Sequence, residues 1–182
     1  MDKVSGLSLL VIDDNRHMLS IVRVLLRAFG VKRLFECQEA ARGFETFRTT
    51  SPDIVILDQH MSPPDGGEFI RLARSSGVSP NPRVPIILLA SQGKHRSLVA
   101  ARDAGVTEIL VKPVTGIELF SRIHSIVYSP RPFIEEAGYF GPCRRHEQPK
   151  NYRGIERRKT AATPVAEAMV DERRNWDRVA SG

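Results

Sequence analysis

Short apolar runs alternate with amphipathic segments from the start of the chain to about Val127, and this alternation restricts the fold more than any other feature. The run LSLLVI at residues 7–12 has the length and composition of a buried strand, and apolar residues then recur at helical spacing until Gly30. The same order returns four more times, with the strands RLFEC, DIVIL, VPIILLA and EILV. Five βα units predict an α/β fold with a doubly wound, five-stranded parallel sheet.

The chain of 182 residues has room for one ordinary domain and an appendage. After Val127 the apolar periodicity stops, and the segment SPRPF places two prolines where a helix would have to continue. We therefore predict a folded domain over residues 1–128, a linker over 129–138 and a C-terminal tail over 139–182.

Charge separates the tail from the domain. The formal net charge is +6, and residues 139–160 alone carry seven basic side chains against two acidic ones. This stretch has too few aliphatic residues to form a core, so we expect it to be largely disordered until a ligand binds.

The two cysteines, Cys37 and Cys143, match no metal-ligand spacing, and no run has the length of a signal-peptide core or a membrane span. These features predict a cytoplasmic protein.

Polar residues follow four of the predicted strands, at the edge where a parallel α/β sheet binds its ligands. They are Asp13 and Asp14 after the first strand, Asp58 after the third, Ser91 after the fourth and Lys112 after the fifth. Three converging carboxylates repel one another unless a hard divalent cation lies among them, and a site with only oxygen ligands suits Mg²⁺. A phosphoryl group shared by Mg²⁺, the lysine and the serine would complete such a site.

The motifs VIDDN, DQHMSPPDGGE, LLAS and VKP, in this order at strand ends, resemble the receiver domain of CheY-like two-component response regulators over about residues 5–128. The resemblance implies that Asp58 is the phosphoacceptor and attacks a phosphohistidine of a sensor histidine kinase. It further implies that Asp14, Asp58 and the backbone carbonyl of His60 bind Mg²⁺ directly, while Asp13 acts through water. Such a protein carries out self-phosphorylation chemistry but is not otherwise an enzyme.

The resemblance also assigns the phosphoryl oxygens to Ser91 and Lys112, and it predicts a cis peptide bond before Pro113. Two positions differ from the family pattern. Ser62 stands where the family usually has proline, and Ile109 stands where it usually has an aromatic residue that swings inward on phosphorylation. We therefore expect that this chain binds phosphate without the usual readout, in which the aromatic ring reports phosphorylation.

A pattern occurs twice in the tail. Tyr139, Gly141, Arg144 and Arg145 return thirteen residues later as Tyr152, Gly154, Arg157 and Arg158. Arginine forms a planar fork that can pair with the O6 and N7 atoms of guanine, an aromatic ring can stack on a base, and glycine permits close backbone approach. A duplicated set predicts a ligand with two guanines and negative charge, for which cyclic di-GMP is the best match.

The tail also resembles the arginine-rich extension of the Cle class of CheY-like proteins, over about residues 139–178. The resemblance implies a cyclic di-GMP effector that binds the flagellar motor switch, is recruited to the flagellated pole and adjusts motility or surface attachment. The predicted ligand-binding residues then include Arg153, Arg174 and Trp176 in addition to the two repeats. Trp176 is either a third stacking surface or the apolar anchor of a terminal helix.

Three other functions are compatible with the residues. The chain could be a phosphotransfer relay with an inert tail, or its tail could be a polybasic segment attracted to lipid or RNA without insertion into a membrane. A transcriptional regulator with a DNA-binding tail is disfavoured, because the tail lacks the apolar periodicity of a helix-turn-helix core.

Overall fold

The fold is taken from a computed structural model. It describes residues 3–63, 65–92, 95–136, 138–144 and 163–164, with only the backbone described at 95–97 and 163–164. No helix in these ranges is long and apolar enough to cross a membrane.

After a short 3-10 helix at Lys3–Gly6, the described residues up to Tyr128 form five strands and five α-helices in alternation. The strands are β1 (Ser8–Ile12), β2 (Arg33–Cys37), β3 (Ile54–Asp58), β4 (Ile86–Ala90) and β5 (Glu108–Val111). The helices are α1 (Arg16–Ala28), α2 (Ala40–Thr50), α3 (Gly66–Arg74), α4 (His95–Asp103) and α5 (Gly116–Tyr128). All neighbouring strands are parallel, in the order β2-β1-β3-β4-β5. The fold predicted from the sequence is therefore confirmed.

Helices on both faces of the sheet explain why its central strands are continuous apolar runs. Every residue of β1, β3 and β4 is buried. One core cluster includes Leu26 of α1 and Ile123 of α5, and the other includes Phe47 of α2 and Phe69 of α3. The apolar core thus holds the strand ends in fixed positions for the polar residues that follow them.

Side-chain caps begin the helices close to this polar edge. The Asn15 side chain accepts hydrogen bonds from the backbone N–H groups of His17 and Met18, which satisfies two donors at the start of α1. Asp65 caps α3, and Thr115 caps α5, in the same way. The segments that join β1 to α1, β2 to α2 and β5 to α5 at this edge are short.

A second, smaller sheet follows α5, in the part of the chain where the sequence predicts a linker. Strand β6 (Pro132–Glu136) pairs antiparallel with β7 (Tyr139–Pro142), and β8 (Thr163–Pro164) pairs with the other edge of β6. We call β6 and β7 together the hairpin. Strands β6 and β7 thus lie where the sequence predicts the linker over 129–138 and the first residues of the largely disordered tail, most of which lies outside the described residues. Phe133, Ile134 and Cys143 are buried, and this burial stabilises the hairpin.

Candidate functional site

The parallel register brings the predicted polar residues to one edge of the sheet. Ile12 pairs with Leu57, so Asp13 and Asp58 both lie immediately beyond this pair. On the other side of β3, Asp58 pairs with Leu89. Strand β4 then ends at Ala90, which pairs with Val111, so Ser91 and Lys112 extend the same edge.

The carboxylates of Asp13, Asp14 and Asp58 form a close cluster, with one oxygen from each lying within 4.8 Å of the others. The Lys112 ammonium bridges two of them, with Nζ 2.8 Å from the Asp58 Oδ1 and 3.1 Å from the Asp13 Oδ2. The Asp13 side chain is fully buried, whereas Asp14 is exposed. The cluster therefore opens to solvent on the Asp14 side.

Burial and mutual repulsion set the electrostatics of the cluster. Burial raises the pKa of Asp13, the nearby charge of Asp58 raises it further, and hydrogen bonds from the Asn15 backbone N–H and the Lys112 ammonium only partly oppose this. Burial also lowers the pKa of Lys112, but hydrogen bonds to Asp58 and Asp13 and their charges outweigh it, so the net shift is upward. Lys112 is therefore a cation at neutral pH.

The donor set fits Mg²⁺. Three carboxylates supply only oxygen atoms, which hard cations prefer, and one ammonium leaves the cluster with excess negative charge. The exposed carboxylate of Asp14 leaves an open side at which Mg²⁺ can keep water molecules or bind a phosphoryl oxygen. Receiver domains bind Mg²⁺ at an acidic pocket of this kind.

The other predicted residues of this site also follow strand ends at this edge of the sheet. Ser91 is half-buried directly after β4, and His60 is exposed two residues after Asp58. The Lys112–Pro113 peptide bond is cis, which confirms the prediction. Ile109 lies on β5, is partly buried and packs against one core cluster.

The structure describes three residues of the first repeat, and all three make contacts within the chain. The Tyr139 hydroxyl donates a hydrogen bond to the Pro142 carbonyl oxygen at 2.8 Å. The guanidinium carbon of Arg144 lies 4.2 Å from the centroid of the Tyr139 ring, and its Nη1 lies 2.9 Å from the Asp103 Oδ1. The first repeat thus joins the hairpin to the end of α4.

Glycine is required at position 141 by packing within the chain. A Cβ atom there would lie 2.9 Å from the Cα of Gly105 and 2.7 Å from the Tyr139 hydroxyl oxygen. Gly105 itself has a φ of +98°, a conformation that favours glycine. Close approach between β7 and the turn after α4 therefore accounts for Gly141 without any ligand.

The remaining ligand-binding residues predicted in the tail lie outside the described ranges. They are Arg145, Tyr152, Arg153, Gly154, Arg157, Arg158, Arg174 and Trp176. Their assignment to cyclic di-GMP stays a prediction.

Sequence reasoning missed a buried arginine beneath the hairpin. Arg74 donates hydrogen bonds to the carbonyl oxygens of Gly105, Pro82 and Val84 at 2.8–2.9 Å, and its guanidinium lies 5.1 Å from the centroid of the Phe133 ring. Burial lowers the pKa of Arg74 to about 9, so the group stays charged at neutral pH. The sequence signal for the hairpin was the pair of short apolar runs in PFIEEAGYF, separated by four residues that end in glycine.

Comparison with known proteins agrees with this geometry. Residues 9–124 match the family described as response regulator receiver domain. The chain is 31% identical over 134 residues to the KDP operon transcriptional regulatory protein KdpE of Escherichia coli strain K12, which covers 70% of this chain and 57% of that protein. It is also 31% identical over 127 residues to the transcriptional regulatory protein PrrA of Mycobacterium leprae strain TN, covering 68% of this chain and 51% of that protein. The chain thus spans about half the length of these curated relatives.

Two solved structures have the same fold. A response regulator from Chloroflexus aurantiacus J-10-fl aligns with a TM-score of 0.61 at 24% identity, over 66% of this chain and 96% of that one. The signal receiver domain of a histidine kinase from Syntrophus aciditrophicus aligns with a TM-score of 0.59 at 20% identity, over 66% and 89% of the two chains. Taken with the acidic cluster and its lysine, these matches show that the chain belongs to the response regulator receiver domain family.

Proposed function

We propose that this chain is a response regulator in which Asp58 accepts a phosphoryl group from a sensor histidine kinase. The observation that supports this most directly is the Lys112 ammonium, which lies 2.8 Å from the Asp58 carboxylate beside two further carboxylates. Clustered carboxylates with one cation are costly for stability, so their arrangement favours a chemical role over a structural one.

The chemistry assigns one role to each residue. An oxygen of the Asp58 carboxylate attacks phosphorus, the P–O bond forms, the P–N bond to the donor histidine breaks, and the leaving imidazole retains or takes up its proton. Lys112 and the Ser91 hydroxyl then bind the phosphoryl oxygens. Asp14, Asp58 and the His60 carbonyl would hold Mg²⁺, with Asp13 acting through water, and the cation would supply neutralising charge.

Labelling with a small phosphodonor such as acetyl phosphate tests this role. With Mg²⁺ present, Asp58→Asn should abolish covalent labelling, because an amide cannot act as the nucleophile. Glu45→Gln, which alters an exposed carboxylate on α2, is the matched control and should label like the wild type. Labelling that persists in Asp58→Asn would remove Asp58 from the nucleophile role.

We further infer that the chain is a cyclic di-GMP effector. The duplicated set of tyrosine, glycine and paired arginines supports this, together with the resemblance of the tail to the Cle class. Two bidentate arginines and two stacked rings contribute ~4–12 kcal/mol, and ordering of the segment subtracts ~2–5 kcal/mol. Micromolar binding needs about 8 kcal/mol, so one repeat falls short and both are needed.

The proposed partner is the flagellar motor switch, and ligand binding at the tail alters how the receiver domain docks on it. The protein would then be recruited to the flagellated pole and adjust motility or surface attachment. Because Ile109 replaces the usual aromatic residue, phosphorylation should change the affinity for this partner less than cyclic di-GMP does. A larger effect of phosphorylation in a binding assay would contradict this.

Isothermal titration of the full chain with cyclic di-GMP tests the role of the tail. Replacing Arg157 and Arg158 together by alanine should weaken binding at least about tenfold at fixed salt, or ~1.4 kcal/mol. Replacing them by lysine keeps the charge but removes the planar fork, so guanine recognition should be lost while polybasic attraction would survive. Unchanged affinity in the lysine variant, with equal binding of cyclic di-AMP, would contradict guanine recognition.

Two alternatives remain as outcomes of these experiments. A chain that is labelled at Asp58 but does not bind cyclic di-GMP is a phosphotransfer relay with an inert tail. The names of the KdpE and PrrA relatives describe transcriptional regulation, but the alignments cover only about half of each protein. Binding of duplex DNA by the full chain, with no response to cyclic di-GMP, would favour transcriptional regulation.

A further inference from the structure

A cavity of about 480 Å³ lies between the hairpin and the surface formed by α4, β5 and α5. Its volume is within the range of small-molecule sites. The polar part of its wall includes four arginines, namely Arg102, Arg122, Arg131 and Arg144. Val99, Val106, Ile109 and Pro142 contribute apolar surface, and the Tyr139 ring lies at its hairpin side. The first repeat therefore forms one wall of a cavity whose other walls belong to the receiver domain.

The cavity carries an excess of positive charge. The buried Glu108 carboxylate pairs with Arg122 at 3.4 Å and with Arg131 at 2.9 Å, and Asp103 pairs with Arg144 at 2.9 Å. Among the described residues, the wall holds these two carboxylates against four guanidinium groups. Two positive charges are thus left over for a ligand.

Two arginine groups in the wall have unused hydrogen-bonding capacity. Arg102 is exposed in the last turn of α4 and forms no ion pair with any residue that the structure describes. The Nε atom of Arg122 is buried and has no hydrogen-bond partner in the described parts of the chain. A buried N–H group without a partner is costly, and an anionic ligand would satisfy it.

We propose that this cavity is the receiver-domain part of the cyclic di-GMP site, in which Arg102 and Arg122 bind phosphate and the apolar wall contacts a base. The inference rests on the proposed ligand and adds residues outside the tail. The two phosphodiester charges of cyclic di-GMP match the two excess positive charges of the cavity. Tyr139 and Arg144 from the first repeat are already in the wall, where a purine can stack and pair.

The Arg144–Asp103 ion pair competes with the ligand. Arg144 cannot present its full fork to a guanine while Nη1 is paired with Asp103. Ligand binding therefore exchanges this ion pair for a contact to the base and releases the hairpin from the end of α4. This exchange couples ligand binding to the surface formed by α4, β5 and α5.

Titration of full-length variants with cyclic di-GMP tests the phosphate contact. Arg102→Gln should weaken binding about tenfold, which corresponds to about 1.4 kcal/mol. Arg71→Gln is the matched control, because Arg71 is also exposed in the last turn of a helix, α3, but does not line the cavity. Its affinity should stay within about twofold of the wild type.

A second pair of variants tests the competition. Asp103→Asn removes the competing carboxylate and should tighten binding about twofold to fivefold, as expected for loss of an exposed ion pair. Glu45→Gln removes one negative charge from the exposed Arg48–Glu45 pair on α2 and controls for net charge. Equal tightening in both variants would reduce the Asp103 effect to general attraction and would overturn the competition.

The outcomes separate this inference from the function on which it rests. A wild-type chain that does not bind cyclic di-GMP overturns both. A wild type that binds, with Arg102→Gln and Arg71→Gln equally tight, overturns the cavity and leaves the tail as the complete site. Selective weakening in Arg102→Gln, accompanied by ligand-dependent amide shifts at Val106 and Ile109, supports the cavity.

Discussion

Phe133→Ala should destabilise the whole receiver domain, because the hairpin is packed as part of it. Phe133 is 3% exposed on β6. Its ring centroid lies 5.7 Å from that of Phe140, and the buried Arg74 guanidinium lies 5.1 Å from it on the other side. Arg74 in turn is bonded to three carbonyl oxygens of the receiver domain. Loss of the ring would leave both a cavity and a buried cation with one contact fewer.

The expected cost follows from these contacts. Truncation of a buried phenylalanine to alanine costs about 3–5 kcal/mol, and loss of a cation–π contact adds up to about 1 kcal/mol. Partial collapse of a surface hairpin into the space reduces this total, so we expect about 4 kcal/mol. For a chain of this size, such a loss corresponds to a fall in melting temperature of about 8–16 °C.

Guanidinium unfolding followed by circular dichroism at 222 nm measures the effect. The helical signal reports the receiver domain, whereas fluorescence of the single tryptophan would report the tail. Phe120→Ala on α5 is the matched control, since Phe120 is 37% exposed and contacts Phe29 at 5.1 Å, and it should cost about 1 kcal/mol. If the two variants were equally stable, the hairpin would not belong to the cooperative unit, and the predicted linker over 129–138 would be the better description.

Three further predictions concern the acidic cluster and the turn beneath the hairpin. Burial raises the pKa of Asp13 above 3.8, so between 3.8 and the folded-state pKa the folded, metal-free chain keeps a proton that the unfolded chain releases. The free energy of unfolding should therefore fall as pH rises through this range. Asp13→Asn should remove this dependence and raise the free energy of unfolding at pH 7 by about 0.5–2 kcal/mol in EDTA. The pKa of Lys112 is raised, so its contribution to the stability of the fold is present below pH 10.5 and is lost as pH rises above it. Lys112→Met should therefore lower the free energy of unfolding at pH 7, measured with urea and without metal. The loss should be less than the about 3–5 kcal/mol of a fully buried pair, because Lys112 is partly exposed. Gly105→Ala should cost about 1–3 kcal/mol in thermal unfolding, because φ is +98° and the Phe140 carbonyl oxygen would lie 2.9 Å from the new Cβ, while Gly77→Ala, with no atom within 4 Å, should be nearly neutral.

The receiver fold and its acidic cluster could be predicted from the sequence because both depend on local order along the chain. A buried parallel strand is a continuous apolar run, as in β1, β3 and β4. Residues that follow such strands must meet at one edge, whatever the details of the helices. Asp13, Asp58 and Lys112 were therefore predicted to converge from positions up to 99 residues apart, and the lysine contacts both carboxylates. The pattern could not predict that the Lys112 ammonium bridges Asp13 and Asp58, or that the Asp13 side chain is fully buried.

The hairpin escaped prediction because its stability comes from contacts distant in sequence. Its strands are only five and four residues long, and an isolated two-stranded hairpin of this kind is marginal in water. It becomes stable by covering Arg74, whose charge and position on α3 give no sign in the sequence that it is buried. Contacts distant in sequence also give the first repeat a structural role that its pattern does not show. Tyr139, Gly141 and Arg144 were interpreted as ligand-binding residues from their repetition alone. Tyr139 also donates a hydrogen bond within β7, while Gly141 and Arg144 also hold the hairpin against the receiver domain. A ligand that uses Arg144 must therefore compete with the Asp103 carboxylate, which already binds the Arg144 guanidinium.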